Sequence, residues 1–517
     1  MNRPEAAPLS RGQAFWSGFA LLLVACTARL VLVGTARFGG DEIVMFQMAE
    51  RISRGQEFPM LGASITGGAA SLPGPLFYYL MAVPMLLGFR SPEAANAFIA
   101  LLGGAAVWLY WSALRPWFGE RGAAIAAILM ACLPWSTLYA DRIWPSNTIG
   151  FFTAVAFWAA CRVRREPDRL GVVALLVSAG VMPQLHLSAP MVWAALLPIF
   201  LRSVPRWRWT WAAAGLGCVL ALYAPMLLHE FTSHWSNSRA FLSESGGGTS
   251  SHWQRLPLWA FRLLTLDLSY HQLSGYWVLR GERELRDFLL HGNGDFTWTP
   301  ARHALLWLSY AFALGTLGLL LVRRLRRARP AEPPAAIAPA PTAASEERGH
   351  PFLRAALFGF AANVLLIGLT HRSLFGHYVQ PLLPFYFVAF AELGRTSLGW
   401  GRGRFGLYGV VTALCLGGID SALWVSRRLD ARNGLSTMRA VLAAIQADRP
   451  GLREGKLEFD YRSMNWGFNV LLAGDPQNRL KFDKTGPVYR LKLREAAAPA
   501  GGRLVAQTGP IAVWAMP

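Results

Sequence analysis

Two adjacent carboxylates, Asp41 and Glu42, follow the first apolar segment of the chain after a short stretch that ends in two glycines. Both acids are therefore expected near the membrane surface where this segment emerges. A carboxylate held at such a boundary can act as a general base, taking a proton from a hydroxyl or amine that attacks an anomeric carbon. Position alone equally allows an exposed loop acid, or an Asp41 side chain that caps a helix beginning at Glu42.

A second acid, Asp141, stands next to Arg142 at the end of the third apolar segment, before Pro145 begins the next one. If this end lies on the same side of the membrane as Asp41, the two carboxylates can shape one site. The competing interpretation is an ion pair between Asp141 and Arg142 that terminates a helix, since surface pairs of this kind are common and contribute little to stability.

Polar residues also interrupt two later apolar runs. Gln184 and His186 stand between two apolar segments, where polar side chains are costly unless they face a cavity or a partner. A hydrogen-bonded core histidine is an equally good interpretation of His186. Arg372, His377 and Tyr378 cluster in a short connecting segment. They suit a lipid phosphate, which the planar guanidinium group matches, although arginine and tyrosine are also ordinary anchors at a membrane interface.

Composition indicates which elements must position these residues. Of the 517 residues, 53% are hydrophobic and 15% are charged, and the mean hydropathy is +0.30. A soluble domain of this size needs more charge to cover its surface, so we predict a membrane protein. The net charge of +20 comes mostly from arginines in short runs between apolar segments, a pattern typical of cytoplasmic loops and not of nucleic-acid binding. The five cysteines show no CxxC spacing and indicate neither a disulfide framework nor a zinc site.

About eleven segments are apolar enough to span a membrane, which takes roughly 20 residues. The stretch 75–88 is ambiguous, and the positive-inside rule decides its assignment. If it spans, the N-terminal segment that carries Arg3 and Arg11 lies opposite every later arginine-bearing loop. If it does not span, that segment and those loops all lie on one side, which must be the cytoplasm. We therefore predict an interfacial or re-entrant helix at 75–88. The first span lacks a small-residue cleavage site and is predicted to be a retained helix. The candidate spans are residues 14–34, 93–114, 123–139, 148–160, 170–185, 187–201, 211–228, 304–322, 353–369, 379–393 and 407–424.

The assignment of the arginine-bearing loops to the cytoplasm predicts the orientation of the chain in the membrane. With the N-terminus inside, loops 35–91 and 229–303 face outward, whereas the Pro/Ala-rich linker at 323–350 is cytoplasmic. Asp41 and Asp141 then lie on the same, extracytoplasmic side. The apolar positions from Ile43 to Ile52 recur at helical spacing, which predicts an amphipathic helix suited to the interface.

The tail, residues 430–517, loses the apolar runs and alternates in stretches that begin at Val488 and Ile511. Such alternation predicts strands, and we expect a small α/β domain on the extracytoplasmic side. The predicted fold class is an all-α polytopic membrane protein over residues 1–425 followed by this domain.

The order and spacing of these motifs resemble the GT-C glycosyltransferase superfamily, specifically its family 39-like bacterial members. These are related to protein O-mannosyltransferases and the lipid A aminoarabinose transferase. The resemblance covers roughly residues 10–425 and leaves the tail outside. It is carried by Asp41–Glu42, the segment 73–79, Asp141–Arg142, Gln184 with His186, and 377–384.

The resemblance implies an enzyme of the bacterial inner membrane that transfers a monosaccharide, with inversion, from a polyprenyl-phosphate donor to a periplasmic glycan, lipid or protein. Asp41 would be the base, supported by Glu42, and Asp141 the second acid of the site. No organic cofactor is implied, and the absence of a DxD-like pair leaves a divalent metal undetermined. The implied donor-phosphate and substrate residues are Arg142, Gln184, His186, Arg372, His377 and Tyr378.

Two other functions fit a polytopic chain of this kind. A transporter or flippase is expected to carry inverted repeats or polar residues in broken helices at mid-membrane, and neither is evident. An O-antigen ligase or polymerase has many helices and a large outer loop, but it uses a diphosphate-linked donor, and the acidic pair after the first helix argues against it. A purely structural membrane protein leaves the acids on one face unexplained.

Overall fold

The computed structural model describes residues 10–65, 69–137, 140, 142–186, 189–245, 300–328, 358–359, 361, 383–450, 454–459, 481–482, 488–493, 499, 501–508 and 511–517. Within these ranges the chain is mainly helical and ends in a small sheet. The helices before the first long gap are α1 (Arg11–Leu30), α2 (Asp41–Ser53), α3 (Leu76–Leu86), α4 (Pro92–Cys132), α5 (Pro134–Thr137), α6 (Pro145–Arg165), α7 (Arg169–Leu185), α8 (Ala189–Ser203), α9 (Trp209–Thr232) and α10 (Ser236–Ser245). They are followed by α11 (Pro300–Ala328), α12 (Leu383–Thr396), α13 (Gly403–Asn433) and α14 (Leu435–Asp448).

Among the described residues, four helical segments are long and apolar enough to cross a membrane. They are Gly12–Thr35, Pro92–Cys132, Trp209–Thr232 and Gly403–Trp424. Shorter apolar helices occur at Leu76–Leu86, Arg169–Leu185 and Trp307–Val322. The fold is therefore that of a helical membrane protein. The count of eleven spans stays a prediction, and the expected span at 353–369 and most of the 229–303 and 323–350 segments lie outside the described residues.

Helix α4 is two antiparallel helices joined at Gly119, whose positive φ of 72° interrupts the helical backbone. Arg29 demonstrates the reversal, because it donates a hydrogen bond to Ala131 O at 3.2 Å and a Cβ placed on Gly103 would lie 2.9 Å from its Nε. A straight helix would separate residues 103 and 131 by about 42 Å, at 1.5 Å per residue. This agrees with the separate spans predicted at 93–114 and 123–139.

Helices α2 and α3 follow α1 as two short elements. The apolar face predicted for α2 is confirmed, since Ile43, Phe46, Ala49 and Ile52 are buried there. Helix α3 has 11 residues. It extends for only about 16 Å and is too short to cross a hydrocarbon core of about 30 Å by itself.

The tail contains the predicted strands. The sheet is formed by β1 (Glu454–Phe459), β2 (Lys481–Phe482), β3 (Val488–Leu493), β4 (Arg503–Thr508) and β5 (Ile511–Ala515), in the order β2-β1-β3-β5-β4. Strand β1 is parallel to β2 and β3, whereas β5 is antiparallel to β3 and β4. Together with α14 these strands form the expected α/β domain.

The buried side chains form two clusters. One lies within the helical bundle and is built largely from α4, α6, α12 and α13. The other joins α2 and α3 to the first turns of α4, the end of α7, helix α14 and strands β3 and β5. The segment that carries Asp41 therefore shares its core with the C-terminal domain.

Candidate active site at the start of helix α2

The two adjacent acids have different environments. Helix α2 begins at Asp41, and the residue in the N-cap position is Gly40, which has a φ of 49° and makes no side-chain cap. The expectation that Asp41 caps a helix starting at Glu42 is therefore wrong. Asp41 is exposed, whereas Glu42 is fully buried. Successive residues of a helix point about 100° apart, so one acid faces the core when the other faces solvent.

Glu42 accepts hydrogen bonds from an arginine that was predicted as a site residue. Arg142 Nε lies 2.8 Å from Glu42 Oε1, and Arg142 Nη2 contacts the same oxygen. On the other carboxylate oxygen, Arg37 Nε lies 3.8 Å from Glu42 Oε2. The structure thus brings together two motifs of the predicted site, and Glu42 acts as a counter-ion that orients two guanidinium groups.

A buried arginine, Arg29, fixes the base of the segment that carries Arg142. Its guanidinium donates to Met130 O at 3.3 Å, to Ala131 O at 3.2 Å and to Ser136 Oγ at 2.6 Å. These carbonyls belong to the last turn of α4, which has no helical partner for them. Arg29 thereby ties the C-terminal end of α1 to the chain that leads to Arg142.

A second pair of motifs meets at Gly74 and Gln184. Gly74 has a φ of 138°, and a Cβ placed on it would lie 2.8 Å from Gln184 Cγ and closer still to Gln184 Oε1. Only glycine allows this approach. Gln184 is fully buried and donates from Nε2 to Leu222 O at 3.2 Å. The segment before α3 is therefore held against the end of α7.

The chain before Gly74 is a hairpin that the sequence did not reveal. Gly62 N donates to Leu72 O at 3.0 Å, and Leu72 N donates to Ala63 O at 2.9 Å. Asn237, in the first turn of α10, holds one strand of this hairpin. Ser71 N donates to Asn237 Oδ1 at 2.7 Å, and Asn237 Nδ2 donates to Ser71 O at 3.2 Å.

Tyr78 brings helix α3 into the electrostatic field of Asp41. Its side chain is 6% exposed. Burial raises the pKa of Tyr78, and the negative charges of Glu57 and Asp41 raise it further. The phenol therefore stays protonated and can donate a hydrogen bond in this region.

His186 follows the last residue of α7, next to Gln184. Burial lowers the pKa of His186 to about 4, although part of its surface stays exposed. The imidazole is consequently neutral near pH 7. It can hydrogen-bond a substrate group but adds no positive charge to a phosphate site.

Several predicted site residues cannot be located in this way. Asp141 lies outside the described residues, and so do Arg372, His377 and Tyr378. Their roles stay predictions. Among the residues that the structure describes, no group of three or more His, Cys, Asp and Glu side chains is arranged to hold a metal ion.

Three further polar residues of this region were not predicted. One is Arg37, and the other two are Ser146 and Asn147 in the first turn of α6, which begins three residues after Arg142. Ser146 Oγ and both polar atoms of Asn147 are buried and have no hydrogen-bond partner within the described part of the chain. Buried polar atoms are normally satisfied, so these atoms are candidates for hydrogen bonds to a ligand. The sequence contained one signal for Ser146 and Asn147, since both follow directly after Pro145, the first residue of α6.

Comparison with solved structures shows the fold. ArnT from Cupriavidus metallidurans bound to undecaprenyl phosphate superposes with a TM-score of 0.50 at 14% identity, covering 98% of each chain. The same protein in the apo state gives a TM-score of 0.52, again at 14% identity and 98% of each chain. The chain therefore shares the fold of ArnT. The likeness also extends into the tail, which the resemblance was expected to exclude.

The Archaeoglobus fulgidus oligosaccharyltransferase in its apo form is a more distant neighbour. Its TM-score is 0.39 at 14% identity, with 86% of this chain and 59% of that chain covered. No protein-family model matches the sequence, and no curated protein matches it either.

Proposed function

We propose that this chain is a glycosyltransferase of the bacterial inner membrane that moves a monosaccharide from a polyprenyl-phosphate donor to an extracytoplasmic acceptor. The observation that carries the proposal is the division of the acidic pair. Glu42 is buried against Arg142, whereas Asp41, the preceding residue, is exposed at the start of α2. The fold shared with ArnT, whose crystal structure holds undecaprenyl phosphate, supports the class of donor.

In the proposed reaction Asp41 takes the proton from the acceptor hydroxyl or amine as its oxygen or nitrogen attacks the anomeric carbon. The bond from that carbon to the phosphate oxygen breaks, and its electron pair leaves with the polyprenyl phosphate. The configuration at the anomeric carbon inverts. A phosphate leaving group needs little acid assistance, so one base and nearby cations suffice.

Arg142 is the candidate for stabilising the leaving phosphate. Glu42 fixes the guanidinium of Arg142 through Nε and Nη2, and the Arg142 side chain is 21% exposed. Preorganised cations aimed at developing charge are among the largest contributions to catalysis. Ser146 and Asn147, in the first turn of α6, supply neutral hydrogen-bonding groups. Asp141, Arg372, His377 and Tyr378 are retained as proposed site residues from the resemblance.

A transfer assay with matched variants tests the base. Purified protein in nanodiscs receives undecaprenyl phosphate carrying a radiolabelled sugar, together with a cell-envelope extract as acceptor, and both label transfer and release of undecaprenyl phosphate are measured. We expect Asp41→Asn to lower kcat by about 100-fold or more, the usual contribution of a general base. Glu50→Gln, which changes an acid on the same helix that pairs with Arg54 at 2.6 Å, is the control and should stay near wild type.

The two rival functions give different outcomes. Wild-type turnover by Asp41→Asn would remove Asp41 from the mechanism. Use of a diphosphate-linked donor in place of the monophosphate would indicate a ligase or polymerase. Movement of an intact lipid-linked sugar across the bilayer without transfer would indicate a flippase.

A further inference from the structure

The C-terminal domain begins by pairing with the segment that leads to Asp41. Leu435, the first residue of α14, donates from its backbone nitrogen to Ala36 O at 3.0 Å. Next to this bond, Arg37 and Gly434 form an antiparallel bridge. The end of α13 is tied to the same segment through a hydrogen bond between Ser426 Oγ and Thr35 Oγ1.

The paired segment needs such support. It connects the end of α1 to α2 and ends in Gly39 and Gly40, and glycines give the chain more freedom than any other residue. Arg37 follows the paired Ala36 directly and reaches Glu42 Oε2 at 3.8 Å. A displacement at residue 36 is therefore transmitted to Arg37, Glu42 and the start of α2.

A second contact holds α14 in place. Arg439 Nη2 donates to Glu93 Oε2 at 2.8 Å, and Arg439 Nε contacts the other oxygen. This bidentate pair joins α14 to the first turn of α4. Beneath it, Leu435, Met438 and Ile445 belong to the same buried cluster as Ile43 and Phe77. The domain is docked on the site, not merely tethered to it.

We propose that the Gly434–Leu435 step is a positioning element of the active site, which holds Ala36 and Arg37 so that Glu42 and Asp41 keep their geometry. This inference rests on the proposed function, because it assigns the C-terminal domain a part in that same reaction. A base must lie within hydrogen-bond reach of the proton it takes, and a displacement of about 1 Å can cost about 100-fold in rate.

Leu435 allows this hydrogen bond to be removed selectively. Proline is favoured at the first position of a helix, and Gly434 has φ −82° and ψ 160°, an extended conformation that a residue before proline readily adopts. Leu435→Pro thus removes the N–H that donates to Ala36 O, while α14 can still begin at residue 435. Leu435→Ala is the matched control, since it loses the buried side chain but keeps the N–H.

Both variants are compared in the full-length protein by hydrogen–deuterium exchange of peptides covering residues 36–42 and by the transfer assay. Relative to Leu435→Ala, we expect Leu435→Pro to exchange faster in these peptides and to lower kcat at least about tenfold, with the KM for the donor and the Tm little changed. Unchanged exchange overturns the proposal, and so does faster exchange with unaltered kcat.

The Arg439–Glu93 pair, whose side chains are 49% and 26% exposed, provides a second test. Arg439→Glu should speed exchange of residues 36–42 and lower kcat, and the reversed pair Arg439→Glu with Glu93→Arg should restore both. Failure of the reversed pair to restore kcat counts against the inference. If the wild-type protein transfers no sugar from any polyprenyl donor, the proposed function fails and this inference falls with it. A different result, in which the wild type is active and Leu435→Pro and Leu435→Ala have equal exchange and equal kcat, overturns this inference alone.

Discussion

Arg142 donates from Nε to Glu42 Oε1 at 2.8 Å, although 100 residues of chain separate the two. The pair joins the first turn of α2 to the segment before α6 and leaves Asp41 free on the exposed side of its helix. The contact therefore gives different environments to two acids that stand side by side in the sequence.

Neutralising Glu42 should destabilise the protein and also slow the proposed sugar transfer. The side chain of Glu42 is 1% exposed and that of Arg142 21% exposed, and removing one partner of a buried pair costs about 3 kcal/mol. We expect Glu42→Gln to lower both the Tm and the transfer rate. Combining it with Arg142→Gln should cost less than the sum of the single changes, by about 1 kcal/mol or more. Glu57→Gln, which disrupts an exposed pair with Arg51, is the control. If the losses of stability in Glu42→Gln and Arg142→Gln add strictly in the double variant, the role of Glu42 as counter-ion is contradicted.

Gly74→Ala should destabilise the contact between the α3 segment and α7. The new Cβ would lie 2.8 Å from Gln184 Cγ on a backbone with φ of 138°, so steric overlap adds to backbone strain of about 1–3 kcal/mol. Gly88→Ala separates these effects, because Gly88 has a φ of 95° and no atom within 4 Å of a new Cβ. We expect a clearly larger fall in Tm for Gly74→Ala, and partial recovery when Gln184→Ala is added. Equal falls for the two glycine variants would show that the packing against Gln184 is unimportant.

The comparison of sequence with structure shows which features are local. The apolar spacing of α2 and the alternation of β3 and β5 depend on neighbouring residues, and both were predicted. Which acid is buried was not predicted, because it depends on the contact of Glu42 with Arg142, 100 residues further along the chain. The Glu42–Arg142 pair and the Leu435–Ala36 bond join residues far apart in the chain, so no local pattern indicates them. The roles of Asp41 and Asp141 in catalysis stay predictions.

The two hydrogen bonds between Asn237 and Ser71 should stabilise the hairpin before Gly74. Asn237→Asp keeps the acceptor for Ser71 N but places a carboxylate oxygen against Ser71 O, so one hydrogen bond is replaced by repulsion. We expect faster exchange in peptides covering 62–65 and 69–72, and a loss of stability of about 1–3 kcal/mol. Ser243→Ala, which changes an exposed residue of the same helix, should leave exchange unchanged. Equal exchange in Asn237→Asp and wild type would indicate that the hairpin is held by its own strands.

The C-terminal domain should lose stability at both ends of the pH range because of Asp448 and Tyr489. The Arg503 guanidinium, 2.5 Å from Asp448 Oδ1, holds the pKa of that carboxyl below its ordinary value. Burial, followed by a hydrogen bond to Asp448, raises the pKa of Tyr489 to about 12. The depressed Asp448 pKa contributes stability at neutral pH that disappears as the pH falls through the folded value. The raised Tyr489 pKa contributes stability that is present below about pH 10 and is lost as the pH rises towards 12.

Scanning calorimetry of the full-length protein across these ranges checks both signs. We expect Asp448→Asn to lower the Tm at pH 7 and to reduce the further loss of Tm on acidification, because the substituted side chain no longer titrates. On the alkaline side, removal of the carboxylate should lower the pKa of Tyr489, so that the loss of Tm is complete at a lower pH. Glu50→Gln, a change on helix α2 away from this domain, should retain the wild-type profile. A wild-type acid profile in Asp448→Asn would show that other carboxylates control the acid stability of the domain.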